Sequence, residues 1–415
     1  MKGSGYREYQ QACAHGPRRF NAVAVYKRAQ GTNDGALRAA VGRLLCAVEG
    51  IELETLNVLV GIGWSGLGGH PSHAELKKQH PSIPTMLAPL ANAPTLRVDT
   101  QGDVLVQVAA ETETDRLFAL RLAEVLLAPE AELREEWFGV RRGLGREAFG
   151  YRDVHTRSEE YSRGGPLELA LIKSGAAAGG GWLLYQRFNQ NVGAFCALPD
   201  ADRDDVMGID PNGGAPRGPA TRLGHVVLAR KYRGKQKGWF VRRGFPYRER
   251  GEEGLCFLAL AAAPESFTEA HDAMAGTGGG GTDALLAYVE AREGGVYFVP
   301  PSAEWIAPGV RPIALPHAVK DLERQAPLIL AELTPAALEY AMSARKFGAF
   351  TGALGQEVIK PELRPSVEAA NWLISQMSST SPSAAYAELA KLLAKSLAQA
   401  NAANLEAGEY VTLEP

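Results

Sequence analysis

The sequence predicts an α+β fold in which helices pack against antiparallel sheets. Short runs rich in Val, Ala and Leu alternate with amphipathic helices, and glycine- or proline-containing turns separate them. Across residues 19–150 the order is strand, helix, strand, strand, helix, strand, which is typical of a ferredoxin-like unit. Residues 151–305 show a similar order without detectable identity. We therefore expect two ferredoxin-like repeats, arranged as in a dimeric α+β barrel.

The first half divides into strands and helices by its hydrophobic pattern. An N-cap at Asn33 or Asp34 begins a helix that ends at Gly50, and acidic residues in the first turn favour a second helix over Glu111–Ala128. Apolar runs predict the following strands: Asn21–Lys27, Leu56–Ile62, Leu96–Asp99, Asp103–Ala109 and Glu136–Arg141.

The second half is interrupted by longer polar stretches. Asp200–Pro219 is rich in Gly and Pro and predicts a long loop, while Glu265–Ala275 and Asp283–Ala291 have helical spacing. Apolar runs predict these strands: Gly181–Asn189, Gly238–Tyr247, Gly254–Ala262 and Gly295–Val299.

Both ends differ in composition from the centre. Residues 1–18 are polar and predict a flexible arm. After Pro301 no strand-like run occurs, and Ala-, Leu- and Lys-rich segments predict a helical extension over 306–415. The expected organisation is an arm (1–18), a first repeat (19–150), a second repeat (151–305) and the extension.

The overall composition is that of a soluble globular protein. Of the 415 residues, 46% are hydrophobic and 22% charged, and the net charge of -3 gives no electrostatic reason to expect a nucleic-acid or membrane partner. No uncharged run approaches the ~20 residues needed to span a bilayer, and the N-terminus has no secretory pattern. The four cysteines lie far apart, which predicts buried, reduced thiols. With neither a secretory pattern nor a membrane span in the sequence, we expect a cytoplasmic protein.

Three side chains could carry chemistry. His225 begins an apolar segment, Arg242 follows seventeen residues later in a predicted strand, and Asp153 lies in a glycine-flanked turn. On spacing alone, a satisfied buried histidine and a turn-capping aspartate are the safer interpretations. A buried arginine, however, needs an anionic partner or a functional reason. His271 shows no convergent partner in the sequence.

Taken together, these motifs resemble the dye-decolourising (DyP-type) haem peroxidases. The family's GxxDG motif is matched by Gly150–Asp153, with Val154 in place of the last glycine. Its proximal histidine, and an arginine four residues before a proline, are matched by His225 and Arg242. Its GLxF and GG-x-YFF-VPP strands are matched by Gly254–Phe257 and Gly294–Pro301. The resemblance covers roughly residues 20–301.

The resemblance implies a haem b group with His225 as the iron ligand. Asp153 would act as the general acid–base toward hydrogen peroxide, and Arg242 would stabilise the developing negative charge. Arg243, Arg222 or Lys231 would pair with the haem propionates. The implied partners are hydrogen peroxide and small phenolic or dye-like reductants, in a chain that could form a homo-oligomer.

Three departures from the family pattern leave alternatives open. Val154 replaces a glycine, Gly244 replaces a polar residue of the peroxide side, and Ala287 occupies the expected position of an acid that hydrogen-bonds the proximal histidine. The departures at Val154 and Ala287 favour a second hypothesis, a haem-handling protein with weak turnover. A third hypothesis is a non-haem interaction module that works through its helical extension.

Overall fold

The computed structural model describes most of the first three quarters of the chain. The described ranges are residues 9–50, 55–67, 73–128, 130–141, 146–153, 167–233, 240–249, 251–277, 279 and 281–307. Residues 308–415 of the expected helical extension, the first eight residues of the expected arm and Val154 lie outside them.

The nine strands found in these ranges form one antiparallel sheet. They are β1 Phe20–Arg28, β2 Leu56–Gly63, β3 Val104–Ala110, β4 Ala131–Val140, β5 Gly181–Gln190, β6 Phe240–Arg242, β7 Phe245–Glu249, β8 Glu252–Ala261 and β9 Val289–Val299. Their order is β5-β9-β2-β3-β1-β4-β7-β8, and β8 also pairs with β5. The sheet therefore closes on itself as a barrel, and β6 adds to β8 in line with β7.

The helices flank this closed sheet. They are α1 Asp34–Gly50, α2 His73–Gln79, α3 Glu113–Leu127, α4 Leu167–Ala170, α5 Val192–Cys196, α6 Asp200–Met207, α7 His225–Arg233, α8 Glu265–Met274 and α9 Ala303–Ile306. No helix in the described ranges combines the length and the apolar character that crossing a membrane requires.

Alternate residues of each strand enter two different cores. Along β1, Val23 and Val25 pack inside the barrel with Tyr185 and Leu258, whereas Ala22 and Ala24 join the outer core with helices α1 and α3. The inner faces of the strands thus fill the barrel. Their outer faces remain available for helices and, in the second half, for a pocket.

The N-terminal arm packs from residue 9 onward, contrary to the expectation of a flexible segment. Gln10 is buried, and its side-chain amide donates to the carbonyl oxygens of Val60 and Pro300, both at 2.9 Å. Its Oε1 accepts from the Val60 amide at 2.9 Å. Ala12 and Cys13 also join the inner core. Because a buried amide needs all its partners, residues 9–18 are part of the barrel.

Several predicted elements differ from the observed ones. Leu96–Asp99 forms no strand, and the helix predicted over Asp283–Ala291 is a short 3-10 turn at Ala284–Ala287 followed by β9. The sequence predicted only the second half of β4, because acidic residues in its first half interrupt the hydrophobic alternation. Cys196 is exposed rather than buried.

The stretch predicted as a loop from Asp200 begins instead with α6. The acidic residues of its first turn interact favourably with the positive end of the helix dipole, and Gly208 ends the helix with φ 74°. Sequence reasoning missed this helix because half of its residues are aspartates, which have low helix propensity.

A carboxyl pair lies between the barrel strands. Arg187 donates from Nε and Nη2 to the two oxygens of Glu293, at 2.9 and 3.1 Å, which lowers the pKa of Glu293 despite its burial. Glu135 is hydrogen-bonded to Glu293, and burial together with this contact raises the pKa of Glu135 to about 8. These shifts favour a protonated Glu135 beside an ionised Glu293 at neutral pH.

This proton makes stability depend on pH. Since the folded-state pKa of Glu135 exceeds its unfolded value, its contribution to the free energy of unfolding falls as pH rises from about 4.5 toward 8.

Glu135→Gln mimics the protonated acid. We expect it to raise the free energy of unfolding by at least ~1 kcal/mol at pH 9 relative to wild type, and to change it little at pH 5, in urea titrations. The control Glu132→Gln, an exposed acid on the same strand, should leave the pH dependence intact, and equal slopes for Glu135→Gln and wild type would contradict the assignment.

Candidate functional site

A pocket opens between the outer face of the second-half strands and helices α7 and α8. It encloses about 1180 Å³ of empty space, counting its open mouth, and its walls are mostly apolar. The apolar side chains come from β5, β6, β8, β9, α7, α8 and the 3-10 turn before β9. The polar side chains among its lining residues are Glu147, Asp153, Gln190, His225, Arg242, His271 and Asp283. An apolar cavity with a few convergent polar groups is typical of a cofactor or substrate site.

His225 is the first residue of α7, and a tight crossing fixes its position. A Cβ atom on Gly224 would lie 2.6 Å from the backbone of Gly208, so only glycine allows the end of α6 to meet the start of α7. The buried Asp205 carboxylate accepts from the amides of Thr221 and Arg222, at 2.9 and 3.3 Å. These contacts hold the loop that delivers His225 to the pocket.

The ring of His225 is oriented by a carboxylate. Its Nδ1 lies 2.7 Å from Oδ2 of the fully buried Asp283, whose Oδ1 accepts from the Leu285 amide at 2.9 Å. An ionised carboxylate only accepts, so Nδ1 carries the hydrogen and Nε2 has its lone pair directed away from Asp283. Desolvation lowers the pKa of His225, but the charge of Asp283 more than offsets it, and the net pKa is raised.

Asp283 corrects the expectation about Ala287. The sequence comparison placed the histidine-binding acid at Ala287 and concluded that it was missing. The structure provides this carboxylate four residues earlier, at the cap of the 3-10 turn that contains Ala287. The predicted helix over 283–291 misplaced the acid by one turn.

Arg242 and Asp153 enter the same pocket from different segments. Arg242 ends β6, opposite Ala259 of β8, with its guanidinium 4.7 Å from the centre of the Phe240 ring. Asp153 ends the segment that begins at Arg146, and its Oδ2 accepts from Arg141 at 3.4 Å. The structure thus brings together all three residues that the sequence singled out.

The segment that carries Asp153 is anchored to the loop after α6. Arg152 donates its amide to the Pro211 carbonyl at 3.1 Å, and Tyr151 donates its hydroxyl to the buried Asp204 at 2.5 Å. Arg217 also donates to Asp204, with Nε 2.7 Å from Oδ2. One loop therefore supports both Asp153 and the approach to His225.

Glu147 is a pocket residue that sequence reasoning missed. Desolvation, reinforced by the nearby charge of Asp153, raises its pKa to about 7. A carboxyl with a pKa near neutrality can both give and take a proton. No sequence pattern marks it, because the turn that brings it beside Asp153 depends on Gly150, which has φ 83°.

Arg243 and Arg222 lie elsewhere. Arg243 points into the barrel, 1% exposed, where Nε donates to Gln107 at 2.8 Å and Nη2 donates to the Ala12 carbonyl at 2.8 Å. It faces away from Arg242 because neighbouring strand residues face opposite sides. Arg222 is exposed in the loop before α7 and does not line the pocket. Lys231 lies in the last turn of α7, and its side chain is not among those that the structure describes.

His271, in contrast, has partners that the sequence did not reveal. It is buried on α8, lines the pocket, and accepts at Nδ1 from Nε of Arg97 at 3.1 Å. Arg97 lies 174 residues earlier in the chain, so only the fold brings the two together.

The family model described as "Dyp-type peroxidase, C-terminal" matches residues 146–304. This range contains every residue that lines the pocket. Over these residues the chain is similar to the Dyp-type peroxidases. This match confirms the resemblance drawn from the motifs.

Solved structures of Dyp-type peroxidases share the fold of the chain. A putative Dyp-type peroxidase from Shewanella oneidensis is 20% identical, with a TM-score of 0.59 over 73% of this chain and 99% of that one. The dye-decolorizing protein from V. cholerae is 23% identical, with a TM-score of 0.57 over 72% of this chain and 98% of that one. A DypB variant from Rhodococcus jostii RHA1, in complex with heme, is 19% identical, with a TM-score of 0.57 over 70% and 96%.

Proposed function

We propose that this protein is a haem-dependent peroxidase that reduces hydrogen peroxide and oxidises phenolic or dye-like electron donors. The observation that carries the proposal is the His225–Asp283 pair at the wall of an apolar pocket that also holds Arg242 and Asp153. The family match over the whole pocket and the heme-bound DypB neighbour support it.

The residues present fit a haem group. The Nε2 atom of His225 is left with a lone pair, as an iron ligand must be, and Asp283 increases its basicity by accepting from Nδ1. Apolar side chains such as Phe257 and Leu255 would pack against a flat macrocycle. Bound haem would supply an iron centre that passes electrons from the donor to the peroxide.

Three side chains would manage the charges and protons of the peroxide. Asp153 and Glu147 would accept a proton from one peroxide oxygen and return it to the oxygen that leaves as water. Burial, reinforced by the charge of Asp153, raises the pKa of Glu147 to about 7, so Glu147 can hold a proton near neutral pH. Arg242 stays charged throughout and would stabilise negative charge as the O–O bond breaks.

The alternative of a haem-handling protein with weak turnover loses one of its supports. The acid that seemed to be missing is present as Asp283. Gly244 does line the pocket and provides no polar side chain there. A robust steady-state peroxidase assay would reject this alternative.

The finer organisation is also a proposal. We take the two halves of the barrel as two ferredoxin-like repeats, since each half combines strands with covering helices. The chain would act in the cytoplasm on small aromatic reductants. We retain the possibility of a homo-oligomer as a hypothesis that a size measurement would decide.

Haem binding through His225 can be measured directly. Titration of haem into the haem-free protein should produce a Soret band. In His225→Ala this band should be weak or shifted, and added imidazole should restore the wild-type spectrum by occupying the vacated space. The control His80→Ala removes a histidine that pairs with Glu265 outside the pocket and should bind haem normally. A wild-type protein without a Soret band would reject the proposal.

We expect substitutions of Asp153 and Glu147 to cause different kinetic defects. We expect Asp153→Asn to slow the reaction with hydrogen peroxide at least ~100-fold in stopped-flow absorbance measurements. Because the pKa of Glu147 is about 7, its carboxylate form accumulates above that pH, and the wild-type rate should change around pH 7. Glu147→Gln should remove this change. A pH profile that keeps its inflection in Glu147→Gln, while the exposed control Glu132→Gln behaves like wild type, would exclude Glu147 from proton transfer.

A further inference from the structure

His271 is a buried, pocket-lining side chain that the proposed function does not use. It lies near the end of α8 and is 4% exposed, and Phe267, Ala270 and Met274 of the same helix share its wall of the pocket. A buried imidazole among apolar neighbours needs hydrogen-bond partners for both ring nitrogens.

Arg97 fixes which ring nitrogen carries the hydrogen. Its Nε donates to Nδ1 of His271 at 3.1 Å, and its Nη2 donates to Asp272 at 2.8 Å and to the Thr268 carbonyl at 3.2 Å. An arginine Nε always carries hydrogen, so Nδ1 of His271 must present a lone pair. The ring is therefore neutral with its hydrogen on Nε2. In agreement, desolvation and the charge of Arg97 lower the pKa of His271 to about 3.

The two pocket histidines thus have opposite tautomers. Asp283 makes Nδ1 of His225 a donor and leaves a lone pair on its Nε2. Arg97 makes Nδ1 of His271 an acceptor and leaves a hydrogen on its Nε2. A protonated Nε2 cannot bind a metal. Of the two histidines, only His225 is therefore in the tautomer that can bind iron through Nε2, and His271 is a hydrogen-bond donor at the same atom.

The Nε2–H group of His271 has no acceptor among the described residues, and the pocket is the space it adjoins. A donor that adjoins the pocket without an acceptor favours a ligand that supplies one. The Arg97 guanidinium behind the ring increases the preference for an anionic oxygen.

We propose that His271 binds a carboxylate of the molecule that occupies the pocket, through its Nε2–H group. This inference rests on the proposed function. Two occupants could bring the carboxylate: the haem itself, which carries two, or an aromatic electron donor with an acid group. Among the described lining residues, Arg242 provides a cationic donor, but the proposed peroxide chemistry already uses it. Arg97 is a positioning residue, since it acts through the ring of His271.

The test compares His271→Leu, which removes the donor, with His271→Gln, which retains an amide N–H. Haem-free protein is titrated with iron protoporphyrin IX and with its dimethyl ester. If a haem carboxylate is the partner, His271→Leu weakens haem binding about tenfold and His271→Gln restores most of it. Binding of the ester should be equal in all three proteins.

If the donor's carboxylate is the partner, haem affinity is unchanged in His271→Leu. In that case KM for a hydroxybenzoate should rise about tenfold, with kcat unchanged and with no change for the matching phenol without the acid group. Equal haem affinity and equal KM in His271→Leu and wild type would overturn the inference. If the wild-type protein binds no haem, the proposed function fails and the inference falls with it.

A second measurement keeps the test decisive if His271→Leu does not fold. Imidazole ¹⁵N signals of the haem-free protein should show His271 as the neutral tautomer with hydrogen on Nε2 at pH 7. Arg97→Gln should produce a mixture of tautomers. A hydrogen on Nδ1 of His271 in the wild type would overturn the inference without any reference to activity.

Discussion

The hydrogen bond between His225 and Asp283 is the interaction on which the site depends. It joins the start of α7 to the 3-10 turn before β9, and it fixes both the orientation and the tautomer of the imidazole. It is possible only because Gly208 and Gly224 let α6 and α7 meet closely. A side chain at either glycine would separate α6 from α7 and displace His225, although neither glycine lines the pocket. The backbone crossing and the carboxylate therefore act as one unit.

The pocket combines this fixed base with charges placed by more distant parts of the chain. Asp153 and Glu147 come from the segment between the two halves of the barrel, and Arg242 comes from a short strand at its edge. Burial, reinforced by the charge of Asp153, raises the pKa of Glu147 to about 7. A pair of interacting carboxyls beside a permanent cation suits a reaction that moves protons and develops negative charge. The apolar walls strengthen each of these interactions by excluding water.

Local pattern was sufficient for most strands, and the family resemblance was needed to single out three residues of the pocket. Hydrophobic alternation located β1, β2, β5 and β8, and the motifs around Asp153, His225 and Arg242 brought together residues that do share one pocket. Local pattern failed where a partner lies far along the chain. Nothing near His271 indicates Arg97, and Asp283 was missed because helical spacing was assigned to a turn. Arg243 resembles a binding residue in sequence, but its strand position directs it into the barrel, toward Gln107.

The proposal that His225 would hold the iron while Asp283 accepts its Nδ1 hydrogen can be tested directly. The iron–histidine stretching band in the resonance Raman spectrum of the reduced, haem-loaded protein reports both properties. The wild type should show this band, and Asp283→Asn should shift it to lower frequency, because a neutral acceptor leaves the imidazole a weaker electron donor. A wild-type spectrum without a histidine band, or a band at the same frequency in both proteins, would contradict the account.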